Sequence, residues 1–405
     1  MKSAMPPVSA APPALPPALI VGGLANALSV ARSLGRRGVR VYALSAAAKQ
    51  VHRSRYVEWI PFGGDGGNAG AWERFLLGPE SEFLRGAVLL LCCDEGLEIA
   101  ARHHAELAQK FVLEEADPDV RLRLLDKLST YREAAAAGIP TPQFWEVASE
   151  EELEAIHKEL VFPLLVKPRL SHRFERVFRR KYLRAESLPE LRAQLREVAA
   201  HGLDVVLLEF VPGPDTLLAS YYSYLDASGE PLFHFTKRVL RRYPPNMGGA
   251  TYHITDWNPE VAGQGLALFR AVGLRGLGNV EFKRDPRDGR LKVIECNARF
   301  TAGNPLVAAS GLDLARFVYD RLAGLPPAPL REYRRGLRLW SPYDDFLAYH
   351  ELRARGELTL LGWIWSVLRP QVFPVFAWDD PRPALAGAFE RLRRLLGRRL
   401  LRAPD

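Results

Sequence analysis

The sequence predicts an α/β protein, and three stretches carry that prediction. Ala18-Leu-Ile-Val-Gly-Gly reads as an apolar strand running into a glycine turn; residues 25–38 follow as a helix and 39–44 as a second strand, a βαβ opening. Residues 87–92 form a fully apolar run of the kind buried in a parallel sheet. Residues 279–300 read as a β-hairpin, with a strand over 280–284, turn chemistry over 285–289 and a return strand over 291–296. At 405 residues the chain is long for one core and is expected to divide into two or three domains.

Composition narrows the function classes. Hydrophobic residues make up 48% and charged residues 25%, ordinary values for a soluble globular protein, and no apolar run reaches the length of a membrane span. Residues 1–17 are rich in Ala and Pro, make a poor signal peptide and read as a disordered tail. Three cysteines, two of them adjacent (Cys92, Cys93), give neither a disulfide framework nor metal spacing, so a reducing, cytoplasmic setting is expected. The net charge of +8 is concentrated in residues 169–184 and 391–402. Zinc-finger spacing, RNA-binding aromatic motifs and basic–aromatic platforms are all missing from the sequence, so small anions are favoured over nucleic acid.

Taken in order, the opening turn reads Gly22-Gly23-Leu24-Ala25-Asn26-Ala27, which is not the dinucleotide-binding fingerprint. Its glycines are read as serving the tight strand-to-helix turn. Residues 57–60 look like a third strand and 62–70 like a glycine-rich linker. After 87–92 come Asp94 and Glu95, placed where parallel sheets bind ligands but more often serving as helix caps. A helix runs from Asp126-Lys127 to 137 and stops at Gly138, before Ile139-Pro140-Thr141-Pro142. A strand over 143–147, a helix over 150–160 and an apolar strand ending in Val166-Lys167-Pro168 follow. A lysine closing a buried strand is unusual unless it meets an anion. Residues 187–201 are helical, and 204–215 form an apolar strand, Leu208-Glu209-Phe210-Val211, entering a Pro/Gly turn. Residues 216–225 and 232–239 read as paired strands and 258–273 as a helix. After the hairpin, 306–310 and 313–322 are helical.

In the hairpin, Leu291, Val293, Glu295 and Asn297 share one strand face, and Glu281 falls opposite or diagonal to Glu295. Two facing carboxylates repel each other, and a divalent cation would turn that cost into a binding site. Alone, the hairpin reads as a solvated, charged face. The other motifs shift that reading.

Together these motifs resemble the ATP-grasp superfamily over residues 18–322. Five motifs stand in that superfamily's order: the Rossmann-like start, the Asp126-Lys127 helix ending in Gly138-Ile-Pro-Thr-Pro, Val166-Lys-Pro, the Leu208-Glu-Phe-Val hinge, and the Glu281…Glu295-x-Asn297-x-Arg299 hairpin. The resemblance implies a tail (1–17), a Rossmann-like pre-ATP-grasp domain (18–125), a two-lobed ATP-grasp domain (126–325, small lobe about 141–215) and a C-terminal extension (326–405). It implies that Lys127 and Lys167 contact ATP phosphates, that Glu209 and Val211 form the adenine hinge and that Asp215 stands near the ribose. By the same likeness Glu281, Glu295 and Asn297 hold Mg²⁺ (with Mn²⁺ as the other candidate ion), and Arg299 steadies substrate or intermediate. Lys237, Arg238 and His253 lie where further phosphate or substrate contacts arise. The family's glycine-rich flap is replaced by the arginine-rich stretch 169–181, whose guanidinium groups are candidates for clamping phosphate.

The implied reaction is carboxylate activation as an acyl-phosphate, followed by attack of an amine and release of ADP and phosphate. The substrates would be a small carboxylate and an amine, amino acids included. A phosphotransferase on the same fold stays open as an alternative, as does a non-catalytic interaction protein with a degenerate ATP site. Arg241, Arg242 and Arg275 read as surface charge, with pairing to a second substrate carboxylate as the other reading. Beyond 326, Trp340, Trp363, Trp365 and Trp378 mark an extension expected to pack on the core. A membrane-surface role for the basic amphipathic helix 384–401 is the lesser reading. Oligomeric state stays open.

Overall fold

The structure is a computed structural model that describes residues 15–46, 50–62, 69–327, 330 and 332–400. Most of the expected tail (1–14) and of the expected linker (63–68) lies outside these residues.

Strands β1 (Ala18–Val21), β2 (Val41–Ala46), β3 (Glu58–Phe62) and β4 (Val88–Leu91) form a parallel sheet of order β3-β2-β1-β4. Helix α1 (Ala25–Gly35) buries Ala27, Leu28, Ala31 and Leu34, which recur at helical spacing. The preceding turn needs its glycines. Gly22 and Gly23 have φ of 67° and 91°, and a Cβ on Gly22 would stand 2.2 Å from Cys93 Sγ at the end of β4. Helices α2 (Ala69–Leu77), α3 (Asp94–Arg102), α4 (His104–Ala108) and α5 (Pro118–Leu125) complete this part, and α6 (Lys127–Ala136) begins the next.

The small lobe is a four-stranded antiparallel sheet of β5 (Phe144–Trp145), β6 (Leu164–Pro168), β7 (Leu183–Ala185) and β8 (Val205–Glu209), in the order β5-β8-β6-β7. Helices α7 (Glu150–Ile156), α8 (Ser171–Phe178) and α9 (Leu188–Ala200) cover it, with Leu153, Phe174, Leu191 and Val198 in its core. The stretch expected as a flap is thus largely a helix, anchored by the fully buried Phe174.

A seven-stranded sheet forms the large lobe. It contains β9 (Leu218–Leu225), β10 (Phe235–Tyr243), β11 (Gly249–Asp256), β12 (Gly276–Arg284) and β13 (Leu291–Asn297), with α10 (Pro259–Ala271) between β11 and β12. Helices α11 (Asn304–Ser310) and α12 (Leu314–Leu322) follow and pack on α1. The remaining strands, β14 (Arg338–Trp340) and β15 (Gln371–Val372), come from the C-terminal extension, giving the order β13-β12-β9-β10-β11-β14-β15. Helix α13 (Pro342–Ala354) packs on β10 and β11, followed by α14 (Leu360–Val367) and, after β15, α15 (Arg382–Leu400).

Two buried aspartates dock the extension. Asp345 accepts from Arg241 Nε and Nη2 (2.7 and 2.8 Å), Thr251 Oγ1 (3.0 Å) and the indole N–H groups of Trp340 and Trp363 (2.9 Å each). Arg241 is therefore buried, correcting its reading as surface charge. Asp380 accepts from Arg32 Nε (3.0 Å), Ser54 Oγ (2.7 Å) and the Arg55 amide (3.0 Å), tying the extension to the N-terminal sheet. Because removal of one partner leaves a buried charge unpaired, Asp345→Ala should cost about 3–5 kcal/mol. Urea unfolding should show it, and an unchanged midpoint would remove this anchor from the account.

Candidate functional site

The ladder of the large sheet builds the site. Glu295 pairs directly with Glu281, Glu281 with Ser220, and Ser220 with Lys237. Directly paired residues share a face, so one row crosses β13, β12, β9 and β10 with two carboxylates at one end and a lysine at the other. Asn297 lies two residues beyond Glu295 on the same face, paired with Asn279. Cys296 points the other way, into the core.

Lysines from two other elements converge on this row. Lys127 opens α6, whose N-cap Asp126 accepts from the Leu128 and Ser129 amides. Its Nζ lies 2.8 Å from Glu295 Oε1. Lys167, at the end of β6, is 8% exposed and donates to Tyr131 Oη and the Ile294 carbonyl, both at 3.3 Å. Burial, with the charge of Lys127 added, pushes Lys167 down to about 7. Burial alone would raise Glu295, but Lys127, Lys181 and Lys167 outweigh it and hold the carboxyl well below the usual range. Lys237 is fully buried, its Nζ 3.2 Å from both Ser220 Oγ and His253 Nδ1. Burial lowers both Lys237 and His253, the latter well below its usual value, so the imidazole is neutral and accepts from Lys237 Nζ. Gly303 leaves this lysine its room: a Cβ there would lie 3.0 Å from Lys237 Cε and 2.5 Å from Tyr222 Oη.

The hinge residues sit where the small lobe meets the hairpin. The Glu209 carboxylate binds Arg287, Lys292 Nζ (3.1 Å) and the Gln143 amide (3.0 Å). Buried Asp285, in the hairpin turn, holds Arg287 and Lys292 in turn, so the turn is braced against β8. Lys283 Nζ donates to the Val211 and Gly213 carbonyls, both at 2.9 Å. Asp215 is buried, with Oδ2 accepting from the Asn246 amide at 3.0 Å, while Oδ1 is buried without a hydrogen-bond partner. Arg242 Nη1 stands 3.7 Å from that oxygen. Arg242 Nε also donates to the Gly248 carbonyl at 2.7 Å and its side chain is 20% exposed, so it is partly buried beside Asp215 rather than free surface charge. Sequence reasoning weighed Arg242 as surface charge or as a partner for a second substrate carboxylate, not as a neighbour of Asp215. Simple alternation from Lys237 would put Arg241 rather than Arg242 on the site face; the register shifts between Val239 and Arg242 break that pattern, and the sequence does not announce them.

Arg299 follows the hairpin, and its Nε donates to Asp94 Oδ1 at 2.5 Å. Asp94 stands at the start of α3, so the end of the parallel sheet meets the end of the hairpin here. The arginine-rich stretch faces the same helix. His172 and Arg173 bind Glu98 at 2.9 and 2.6 Å, Arg176 binds Glu95 at 3.4 Å, and Arg169 binds Asp126 at 2.6 Å. These guanidinium groups join the small lobe to the N-terminal part; each is matched to a protein carboxylate.

The row suits a hard divalent cation. It offers two facing carboxylates and an amide oxygen, and among the described residues no group of three or more His, Cys, Asp or Glu exists that could form an all-protein cage. Mg²⁺ is commonly held by one or two carboxylates, with water and phosphate oxygens completing its shell. The surrounding lysines favour a polyphosphate partner. A lysine near pH 7 must bind a proton to meet such an anion. Nucleotide binding should therefore weaken as pH rises over roughly 7 to 9, with proton uptake on binding. Calorimetry in buffers of different ionisation heat checks this, and Lys167→Ala should flatten the pH dependence.

Comparison with known proteins follows the same lines. Residues 256–324 match the family described as carbamoyl-phosphate synthase L chain, ATP binding domain, a stretch that contains the hairpin and Arg299. Over 259 residues the chain is 28% identical to D-aspartate ligase of Enterococcus faecium, covering 59% of each protein. It therefore spans less than two thirds of that relative. Among solved structures, an L-amino acid ligase from Bacillus licheniformis superposes with a TM-score of 0.56 at 19% identity, over 80% of this chain and 78% of that one. The biotin carboxylase domain of Hydrogenobacter thermophilus 2-oxoglutarate carboxylase, solved with MgADP, gives 0.59 at 17% identity, over 79% and 73%.

Proposed function

We propose that this chain is an ATP-dependent carboxylate–amine ligase of the ATP-grasp superfamily. The observation that carries the reading is the Glu295–Glu281 pair, flanked by Lys127 and Lys167 and continued by an aspartate-held Arg299. The hinge at Glu209 and Val211 would receive the adenine, and Asp215 Oδ1, which has no hydrogen-bond partner among the described residues and lies 3.7 Å from Arg242, would accept a ribose hydroxyl. Lys127, Lys167, Lys237 and Arg242 would spread positive charge along the phosphates, the main demand of phosphoryl transfer. Mg²⁺ held by Glu281, Glu295 and Asn297 would supply charge neutralisation at the transferred group.

In this scheme the γ-phosphoryl group passes to a substrate carboxylate oxygen, and ADP leaves. The amine then attacks the acyl carbon, loses a proton and expels phosphate. Arg299 faces the oxyanion of the tetrahedral intermediate. No enzyme nucleophile is required, which agrees with Cys92 and Cys296 being buried and with burial pushing their thiols far up. Two of the named relatives, a D-aspartate ligase and an L-amino acid ligase, are named for amino acids, so an amino-acid amine or carboxylate is the substrate class proposed.

The test is ADP release by the full chain with Mg²⁺ and ATP against pairs of D- and L-amino acids and small carboxylic acids. ADP and phosphate should appear together only when both partners are present. Hydroxylamine in place of the amine should trap the acyl-phosphate as a hydroxamate. ADP accompanied by a stable phosphorylated product would instead establish a phosphotransferase, and no turnover with any pair would count against a ligase.

A further inference from the structure

We propose that the C-terminal extension docks the protein on an anionic lipid bilayer surface through α13, α14 and α15. The observation is an apolar helix whose outer side chains nothing covers among the described residues. Helix α14 reads Leu-Leu-Gly-Trp-Ile-Trp-Ser-Val, and none of its residues is buried. Leu361 is 69% exposed, Trp365 71% and Leu368 67%. An apolar patch of this kind marks an interaction surface.

The patch continues onto the neighbouring helices. Phe346 of α13 is exposed, and its ring lies 6.1 Å from that of Trp363. Tyr343, one helical turn earlier, is exposed beneath the Arg391 guanidinium of α15, 5.3 Å from the ring centre. On α15, Leu385, Phe389 and Leu392 are spaced four and three residues apart, share one face, and are all exposed. The same helix carries six arginines and one glutamate over residues 382–400. Apolar side chains, tryptophans and a basic helix on one continuous surface fit the headgroup region of an anionic leaflet.

Charge decides between lipid and a second copy of the chain. A twofold contact through this face brings like surfaces together, arginine-rich helix toward arginine-rich helix. A layer of anionic headgroups neutralises them. Among the described residues no helix is long and apolar enough to cross a membrane, so the contact is superficial. Strands β14 and β15 lie at the sheet edge opposite β13, so docking leaves the carboxylate row uncovered. The proposal does not depend on the ligase reading.

The test is co-sedimentation of the full chain with phosphatidylcholine vesicles, with and without about 30 mol % phosphatidylglycerol. Binding is expected to the anionic vesicles only, and to fall with added salt. A Leu361→Ser/Trp365→Ser double variant and an Arg391→Glu/Arg393→Glu double variant should each lose about tenfold or more in partitioning. These side chains are exposed, so the thermal melting midpoint should stay unchanged, which separates lost docking from lost folding. The proposal is overturned if the protein stays in the supernatant, partitions equally to both vesicle types, or if both folded variants bind as the parent does. It is also overturned if light scattering shows a dimer that Trp365→Ser abolishes while vesicles remain unbound, since the face is then a self-interface.

Discussion

Glu295→Gln should reduce ATP turnover by about 10³-fold or more while the protein stays folded. The substitution keeps the shape of the side chain and removes its charge. Charge stabilisation at such a site is worth several kcal/mol, and each ~1.4 kcal/mol is a factor of ten in rate. Glu295 carries two duties that Gln cannot share: it faces Glu281 across the ladder and it neutralises Lys127 at 2.8 Å. In the variant, Lys127 loses the partner that raises its pKa, while Lys167 loses one of the charges that limits its depression. Both lysines should then hold their protons less firmly, so the loss should deepen as pH rises. Backbone packing is unaffected, because the Tyr131 hydroxyl bonds the Ile294 carbonyl rather than the carboxylate. Steady-state ADP release, a Mn²⁺ titration and a melting curve together check the expectation. Turnover within a few-fold of the parent would falsify the metal-site reading.

The carboxylate pair was legible in part, because strand periodicity and turn position bring the two glutamates close without fixing their exact register. Alternation and a turn near Arg287 placed Glu281 opposite or diagonal to Glu295, but the direct pairing comes from a register shift between Glu281 and Phe282, which also turns Leu291 and Val293 into the core with Cys296 instead of onto the Glu295 face. The βαβ start was legible for the same local reason, and the glycine turn was correctly read as backbone geometry. What escaped were relations between distant segments. Asp94 was weighed as a cap, yet it holds Arg299, some two hundred residues away. Strand β11 was not assigned, although Gly249–Asp256 alternates, because the preceding Pro244-Pro245-Asn246 turn reads as a loop. The basic stretch 169–181 was read as a flap because its composition draws the eye. Its helix depends on Phe174 reaching the small-lobe core and on acids of α3, neither visible locally. Likewise Arg241 reads as surface charge until α13 brings Asp345 against it.

Arg299→Ala should lower turnover by about 10²–10³-fold, the usual cost of removing one oxyanion contact. The structure adds a second, smaller expectation. Asp94 takes Arg299 Nε, and Nη1 donates to the Phe300 carbonyl at 3.3 Å. Asp94 thus acts through Arg299 as a positioning residue. Asp94→Asn should cost about tenfold, mostly in turnover rather than in KM, because misplacement of one donor weakens the transition state more than substrate binding. Adding Asp94→Asn to Arg299→Ala should cost little further, since the aspartate then has nothing to aim. Arg299→Lys keeps the charge but loses the planar fork, so it should fall between parent and Ala. If Asp94 served only to stabilise the fold, its substitution would instead lower the melting temperature and add fully to the Arg299→Ala loss. The double-variant cycle, read by turnover and by melting, separates these two roles, and full additivity in turnover would remove the coupling between the parallel sheet and the hairpin end.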